Sequence, residues 1–265
     1  NMNQIKLANP ISADMSIMRT SILPGLISSI SYNKKRQQDR VRFFESGLTF
    51  RLVGNEIEQK EQLAAAICGS VYPEQWNQNK KPADFYDLKN DLIAILSQVG
   101  DYSDFSFIAK NNQMFHPGQS SQVLLKNNHI GWLGMLHPKI QDTMGLSEVF
   151  MFEIAINKSL VGNLPEYKTL SKFPFIRRDL AITVGKKVTF GEVLSIAWDV
   201  APNKVKDIQL FDVYIGENID SDTKSLALSL ILQESSHTLT DEEVDETSAL
   251  ILNALQEKLS AKLRI

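Results

Sequence analysis

The chain reads as an α+β protein built from two successive units, and three features carry that reading. Residues 179–184 and 225–233 alternate apolar with polar or small side chains, the period-two mark of strands with one buried face. Thr189-Phe-Gly-Glu192 and Thr240-Asp-Glu-Glu243 each open an apolar run at helical spacing, as capping boxes do. Upstream of both, helix-like and strand-like stretches mix without any internal repeat or low-complexity tract.

The second unit, residues 173–265, can be laid out element by element. The first alternating stretch sets Leu180, Ile182 and Val184 on one side and Asp179, Ala181 and Thr183 on the other. The first capping box starts a helix carrying Val193, Ile196, Ala197 and Val200 on one stripe. A strand over 205–214 follows, then a strand that sends Leu226, Leu228, Leu230 and Leu232 inward and Ser225, Ala227 and Ser229 outward. The second box starts a helix with Val244, Ile251, Leu255 and Leu259 as its stripe, and Leu239 and Val244 sit at the spacing of a hydrophobic staple. A short strand at 262–265 closes the order β-α-β-β-α-β. A four-stranded antiparallel sheet with both helices on one face is the split βαβ, or ferredoxin-like, arrangement. Its other face stays polar and open to a ligand. Alternation assigns Asp212, Tyr214, Ser225 and Arg264 to that open face, and turns Phe211 and Val213 toward the helices.

The first unit, residues 1–164, is a mixed layer structure. A helix starting near Pro24 shows Leu26, Ile27 and Ile30 on one face and ends at Lys34-Lys-Arg36, where cations suit a helix C-terminus. Strands are expected at 42–50 and 62–68. A second helix is expected over 84–99, with Leu88, Leu92, Ile95 and Leu96 at core spacing, and further strands at 105–109, 122–126, 129–136 and 149–156. Residues 165–172 read as the linker to the second unit.

Composition narrows the function classes. A chain of 265 residues with 43% hydrophobic residues has enough apolar side chains for two cores, and no apolar run reaches membrane-spanning length. No signal-peptide pattern is present, and Asn1 precedes Met2, which reads as a piece of a longer polypeptide. The one cysteine, Cys68, excludes an internal disulfide and reads as a buried thiol, so the reducing cytoplasm is the natural setting. A net charge of −3 argues against bulk electrostatic coating of nucleic acid. Residues 166–265 are the more acidic half, with 12 basic against 16 acidic residues, although Arg177, Arg178, Lys186 and Lys187 make a local basic stripe. The four histidines show no metal-ligand spacing, and no phosphate-binding glycine motif occurs. His137-Pro-Lys139 reads as the cap of a short helix rather than as an acid/base pair.

The residues carry a resemblance as well as a pattern. Pro174 with Arg177-Arg-Asp-Leu-Ala181, Leu210-Phe-Asp-Val-Tyr214 with Gly216, Lys224-Ser-Leu-Ala-Leu228, Thr238-Leu-Thr-Asp-Glu-Glu-Val244 and Leu263-Arg264 occur in that order. Together they resemble the anticodon-binding domain of the bacterial-type phenylalanyl-tRNA synthetase β subunit. Asn9-Pro-Ile-Ser12, Met18-Arg-Thr-Ser21, Leu23-Pro-Gly-Leu26, Phe44-Glu-Ser-Gly47, His116-Pro-Gly118 and Gly134-Met-Leu-His-Pro138 resemble the class II synthetase-like domain that precedes it, an antiparallel sheet flanked by helices. The resemblance implies anticodon contacts at Asp212, Tyr214, Ser225 and Arg264. Arg177, Arg178, Lys186 and Lys187 are expected along the RNA backbone. The chemistry suits unpaired RNA: a tyrosine ring stacks on a base, while aspartate, serine and arginine reach base edges or phosphate. As partners the resemblance implies tRNA-Phe and a catalytic α subunit in an α2β2 tetramer, with residues 11–30 offering apolar groups to partner helices.

Catalysis by this chain itself is not expected. A class II site needs an arginine two residues before a glutamate on one strand, and a second arginine after a glycine-rich strand end. In Arg42-Phe-Phe-Glu45 the arginine is one place off and faces the opposite side, and residues 150–157 hold neither glycine nor arginine. No cofactor is expected here; ATP and Mg2+ belong to the complete complex. The competing reading is a stand-alone class II-like ligase or nucleotide-binding enzyme with a C-terminal sensor module. A weaker one has the open face binding protein.

Overall fold

The computed structural model describes residues 4–100, 104–156, 170–217 and 219–264. Two compact units are present, Asn1–Pro165 and Glu166–Ile265. The expected linker at 165–172 lies outside the described residues up to position 169.

In the first unit, α1 (Leu23–Lys34) has Pro24 in its first turn, where a missing N–H costs nothing. Its apolar stripe, Leu23, Leu26, Ile27 and Ile30, is buried. Strand β1 (Val41–Val53) turns through Gly54 and Asn55 into β2 (Glu56–Cys68), and Gly54 takes φ +63, which a side chain would strain. Helix α2 (Phe85–Leu96) is capped by Asp84, whose carboxylate accepts from the Tyr86 and Asp87 N–H groups while Asp87 returns a bond to Asp84 N. Strands β3 (Phe105–Ala109), β4 (Phe115–Leu125) and β5 (Asn128–Leu136), helix α3 (Pro138–Met144) and β6 (Val149–Ile156) complete the unit.

The six strands form one antiparallel sheet in the order β1-β2-β6-β5-β4-β3. The last strand in sequence is therefore central, and it is buried on both faces. Val149 and Met151 pack with the α1 stripe, whereas Phe150, Phe152 and Ile154 pack with Leu88, Leu92 and Leu96 of α2. That double burial is why 149–152 is a continuous apolar run rather than an alternating one.

Four expectations are corrected here. Ile95 is half-exposed on α2, because Leu88, Leu92 and Leu96 at four-residue steps already complete the buried stripe. Both arms of the first hairpin run further than the expected 42–50 and 62–68, to Val53 and back from Glu56, held by an unbroken pairing register. Strand β4 begins at Phe115 rather than 122. Its register jumps between Phe115 and Ser120, and His116-Pro-Gly118 bows out in between, with Gly118 N–H donating to His116 Nδ1 at 3.0 Å. Finally, the apolar residues from Ile22 to Ile30 are consumed by this unit's own core, leaving Leu7, Ile11, Met15 and Ile17 exposed.

The second unit has β7 (Ile176–Gly185), α4 (Phe190–Val200), β8 (Val205–Tyr214), β9 (Thr223–Leu232), α5 (Asp241–Leu259) and β10 (Lys262–Leu263). The sheet order is β10-β7-β9-β8, all antiparallel. Ile182, Val184 and the leucines at 226, 228, 230 and 232 are buried with Val193, Ile196 and Ala197 of α4 and Val244, Ile251 and Leu255 of α5. Both capping boxes form, and Leu239 is buried beside Val244 as a staple. A buried leucine contributes roughly 1.5–3 kcal/mol and a cap about 1 kcal/mol, so the core holds the helices while the caps fix where they begin.

Candidate nucleic-acid interface

The register of the second sheet assigns every side chain to a face. Ile182 pairs with Leu226 and Leu180 with Leu228, the helix side; Asp179 pairs with Ser229, Ala181 with Ala227 and Thr183 with Ser225, the open side. On β8, Tyr214 stands opposite Ser225 and Asp212 opposite Ala227, so both share the open face as expected. On β10, Leu263 pairs with Ile182, and Arg264 N–H donates to Ala181 O at 2.9 Å, which turns Arg264 to the open face too.

The register of β8 breaks between Leu210 and Asp212: Leu210 opposes Leu228, Asp212 opposes Ala227, and Phe211 is the extra residue between. At such a bulge two residues face one, and strict alternation fails. Phe211 therefore does not go under the helices as its position predicts. It is 54% exposed, and the Arg177 guanidinium lies 5.7 Å from its ring centre. Val213 keeps the helix-side register opposite Leu226 but is exposed near the strand end.

The open face thus carries two cation–aromatic pairs. In one, the Arg264 guanidinium is 5.0 Å from the Tyr214 ring centre. These residues come from opposite edges of the sheet, separated by β7 and β9, a gap of about 14 Å at ordinary strand spacing. The side chains between them, Ala181, Thr183, Ser225 and Ala227, are small, so the pair can close across the middle. Ser225, in that middle, is only 4% exposed. Tyr214 Oη donates to Glu217 O at 2.8 Å, and Gly216 sits against the ring, where an added Cβ would come within 2.8 Å of Oη.

In the other pair, Arg177 also holds Asp179, with Nε 2.9 Å from Oδ1. Ser229 Oγ donates to the same oxygen. Arg177 first, then the Ser229 hydroxyl, lowers the Asp179 carboxyl below its ordinary value, keeping it an anionic acceptor. Of the other expected cations, Arg178 faces the helix side and pairs with Asp245 of α5 at 2.7 Å. Lys186 and Lys187 are exposed in the turn after β7, at the sheet end that holds Thr183 and Ser225. Alternation could place Tyr214 and Arg264 on one face; it could not reveal Phe211, because a bulge leaves no mark in the hydrophobic pattern.

In the first unit, Arg42 and Glu45 lie on opposite faces of β1. Arg42 pairs with Asp91 of α2, and Glu45 with Arg19. Glu153 of β6 accepts from Ser21 Oγ at 2.9 Å and from Ile22 N–H at 2.6 Å, so it caps α1 from a neighbouring strand. His137 Nδ1 accepts from Lys139 N–H at 3.2 Å, the cap expected for α3. Among the described residues, no group of three or more His, Cys, Asp or Glu is placed to hold a metal, and no helix is long and apolar enough to cross a membrane.

Comparison with known proteins adds to this geometry. Residues 1–156 match the family model for the phenylalanyl tRNA synthetase beta chain CLM domain, and residues 171–264 match that for the ferredoxin-fold anticodon binding domain. The phenylalanine–tRNA ligase beta subunit of Nitrosococcus oceani is 44% identical over 260 residues, which is 97% of this chain and 33% of the relative. That of Pseudomonas syringae pv. tomato is 42% identical over 259 residues, with the same coverage. The chain spans about a third of the length of the curated relatives it matches.

Proposed function

The chain belongs to the phenylalanyl-tRNA synthetase β-chain family, and on that premise we propose that its second unit, residues 173–265, holds the anticodon of tRNA-Phe on the open sheet face through Asp212, Tyr214, Ser225 and Arg264. The observation that supports this most directly is the Arg264–Tyr214 pair, closed over a row of small side chains. An exposed cation–π contact stabilises by about 0.5–1 kcal/mol, whereas a base stacked on an aromatic ring gains roughly 1–3 kcal/mol. A base can therefore displace the guanidinium from Tyr214. Arg264 then covers the outer face of the base or takes an adjacent phosphate, since its planar fork serves either. Opening the pair also uncovers Ser225, whose hydroxyl reads only a base that has entered. Asp212, exposed beside this position, accepts from base amino or imino groups.

The first unit, residues 1–164, serves assembly and not chemistry. Its Arg42 guanidinium is committed to Asp91, and Glu45 to Arg19, so neither is arranged as a clamp for ATP. These residues do not fit a nucleotide with its Mg2+. Charging with phenylalanine falls to an α subunit that binds ATP and Mg2+, within a cytoplasmic α2β2 tetramer. The exposed Leu7, Ile11, Met15 and Ile17 supply apolar surface for that partner.

The test is fluorescence anisotropy with a labelled tRNA-Phe anticodon stem-loop, beside one with altered anticodon bases. Preference for the cognate loop, abolished by Tyr214→Ala without loss of fold, is the expected outcome. Equal binding of both loops, or none, would sink the anticodon reading and leave the chain as an assembly scaffold.

A further inference from the structure

Resting on the anticodon reading above, we infer that the open face holds a second base-stacking subsite, formed by Phe211 with Arg177, that takes a different unpaired nucleobase from the one on Tyr214. Four observations converge on it. The bulge at Phe211 turns an aromatic ring out of the core and onto the polar face, where no helix covers it. Bulges re-aim side chains in this way next to functional sites. The ring is 54% exposed, and a guanidinium stands 5.7 Å from its centre, so a flat ligand that pushes the guanidinium outward would meet the ring with one face and the cation with the other. That repeats the chemistry of Tyr214 and Arg264 with residues from different places in the chain.

Groups able to read a base edge share this face of the sheet. Asp179 is fixed by Arg177 and Ser229, presenting an anionic acceptor of set orientation. Gln209, opposite Ser229 on the same face, donates from Nε2 to Asp207 Oδ2 at 2.8 Å, which orients its amide. Ser229 itself is fully buried beneath this group. An unpaired base matches all of these features: flat, aromatic and rimmed with donors and acceptors. An aliphatic peptide side chain would use the ring but leave the fixed carboxylate and amide unmatched. Phe211 and Tyr214 are three residues apart on β8, about 10 Å along a strand, too far for one base to cover both rings.

The experiment uses the whole 265-residue chain and anticodon stem-loops carrying an abasic nucleotide at each loop position in turn. Phe211→Ala is expected to weaken the intact loop about 5- to 150-fold, the equivalent of one stacked base. Phe211→Tyr, which keeps the ring, should bind like the parent. One abasic position should cause no further loss in Phe211→Ala, and it should differ from the position silent in Tyr214→Ala. Affinity of Phe211→Ala within about twofold of the parent, while Tyr214→Ala still loses cognate preference, would overturn the second subsite and leave the anticodon reading intact. Both variants falling silent at the same nucleotide would also overturn it. A parent chain that binds no loop would remove both proposals together.

Discussion

Arg264, one residue past β10, and Tyr214 of β8 lie at opposite edges of a four-stranded sheet, yet the guanidinium of one lies 5.0 Å from the ring of the other. The contact depends on the planar shape of arginine as much as on its charge. Arg264→Lys keeps the charge and loses the stacking. It is expected to weaken anticodon stem-loop binding by roughly 0.5–1 kcal/mol, with little change in thermal midpoint. Anisotropy titrations beside a melting curve check this; unchanged affinity would leave Arg264 as a point charge only.

Gly216 sits against the hydroxyl end of the same ring. A Cβ there would come within 2.8 Å of Tyr214 Oη and 3.0 Å of the ring carbon bearing it. The ring end can move, so Gly216→Ala should fold normally but tilt Tyr214 off its place. Weaker loop binding with an unchanged far-ultraviolet spectrum is the expected result.

Gly131 is a different kind of glycine. It lies on β5 opposite Ile154 of the central strand, and a Cβ there would meet Glu153 O at 2.1 Å and Ile154 Cα at 2.7 Å. Backbone in the middle of a six-stranded sheet cannot yield as a side chain can. Gly131→Ala should cost roughly 3 kcal/mol or more, read as a lower denaturant midpoint for the first unit.

Acid should loosen the second unit through its capping boxes. Glu192 is held below its ordinary value of 4.5 chiefly by Thr189 N–H, and Glu243 chiefly by Thr240 N–H and then by His237. As pH falls, the unfolded chain takes up these protons first. The stabilisation is therefore complete above 4.5 and is lost as pH drops through the lower folded values. The double variant Glu192→Gln, Glu243→Gln keeps hydrogen-bonding side chains at both positions. It should show a shallower fall in melting temperature between about pH 5 and pH 3 than the parent.

Cys68 is 2% exposed, and burial raises its thiol pKa above the ordinary value. Little of it is thiolate at neutral pH, and less is reachable. A thiol reagent should label it only as fast as the first unit opens, so the labelling rate should rise with denaturant. Rapid labelling of the native chain would contradict the burial of β2 at that end.

Where one side of an element is buried and its backbone is regular, the sequence states its structure directly. The leucines of β9 and the two threonine–glutamate boxes are examples: each depends on neighbours two to four places away, and nothing distant overrides them. The face of Phe211 depends on a register slip against β9, an event between strands that no local pattern records. The outer arms of the first hairpin were hidden because Glu56 to Glu61 is mostly polar; pairing, not burial, keeps them extended. The near-complete burial of Ser225 was equally hidden, since it stands on the open face between Thr183 and Tyr214, partners 42 and 11 residues away in sequence. Site residues could be assigned to a face, but which of them meet above it is decided by reach.

The central place of β6 has a consequence for how the chain comes together. Residues 149–156 are made last in the first unit, yet they join β2 to β5. Until they emerge from the ribosome, the β1–β2 hairpin and the β3–β4–β5 meander are two half-sheets, each with an unpaired inner edge. Such edges are templates for wrong pairing between nascent chains. Stalled synthesis before residue 149 should therefore yield aggregates, and chaperone dependence should end abruptly once the sixth strand slots in.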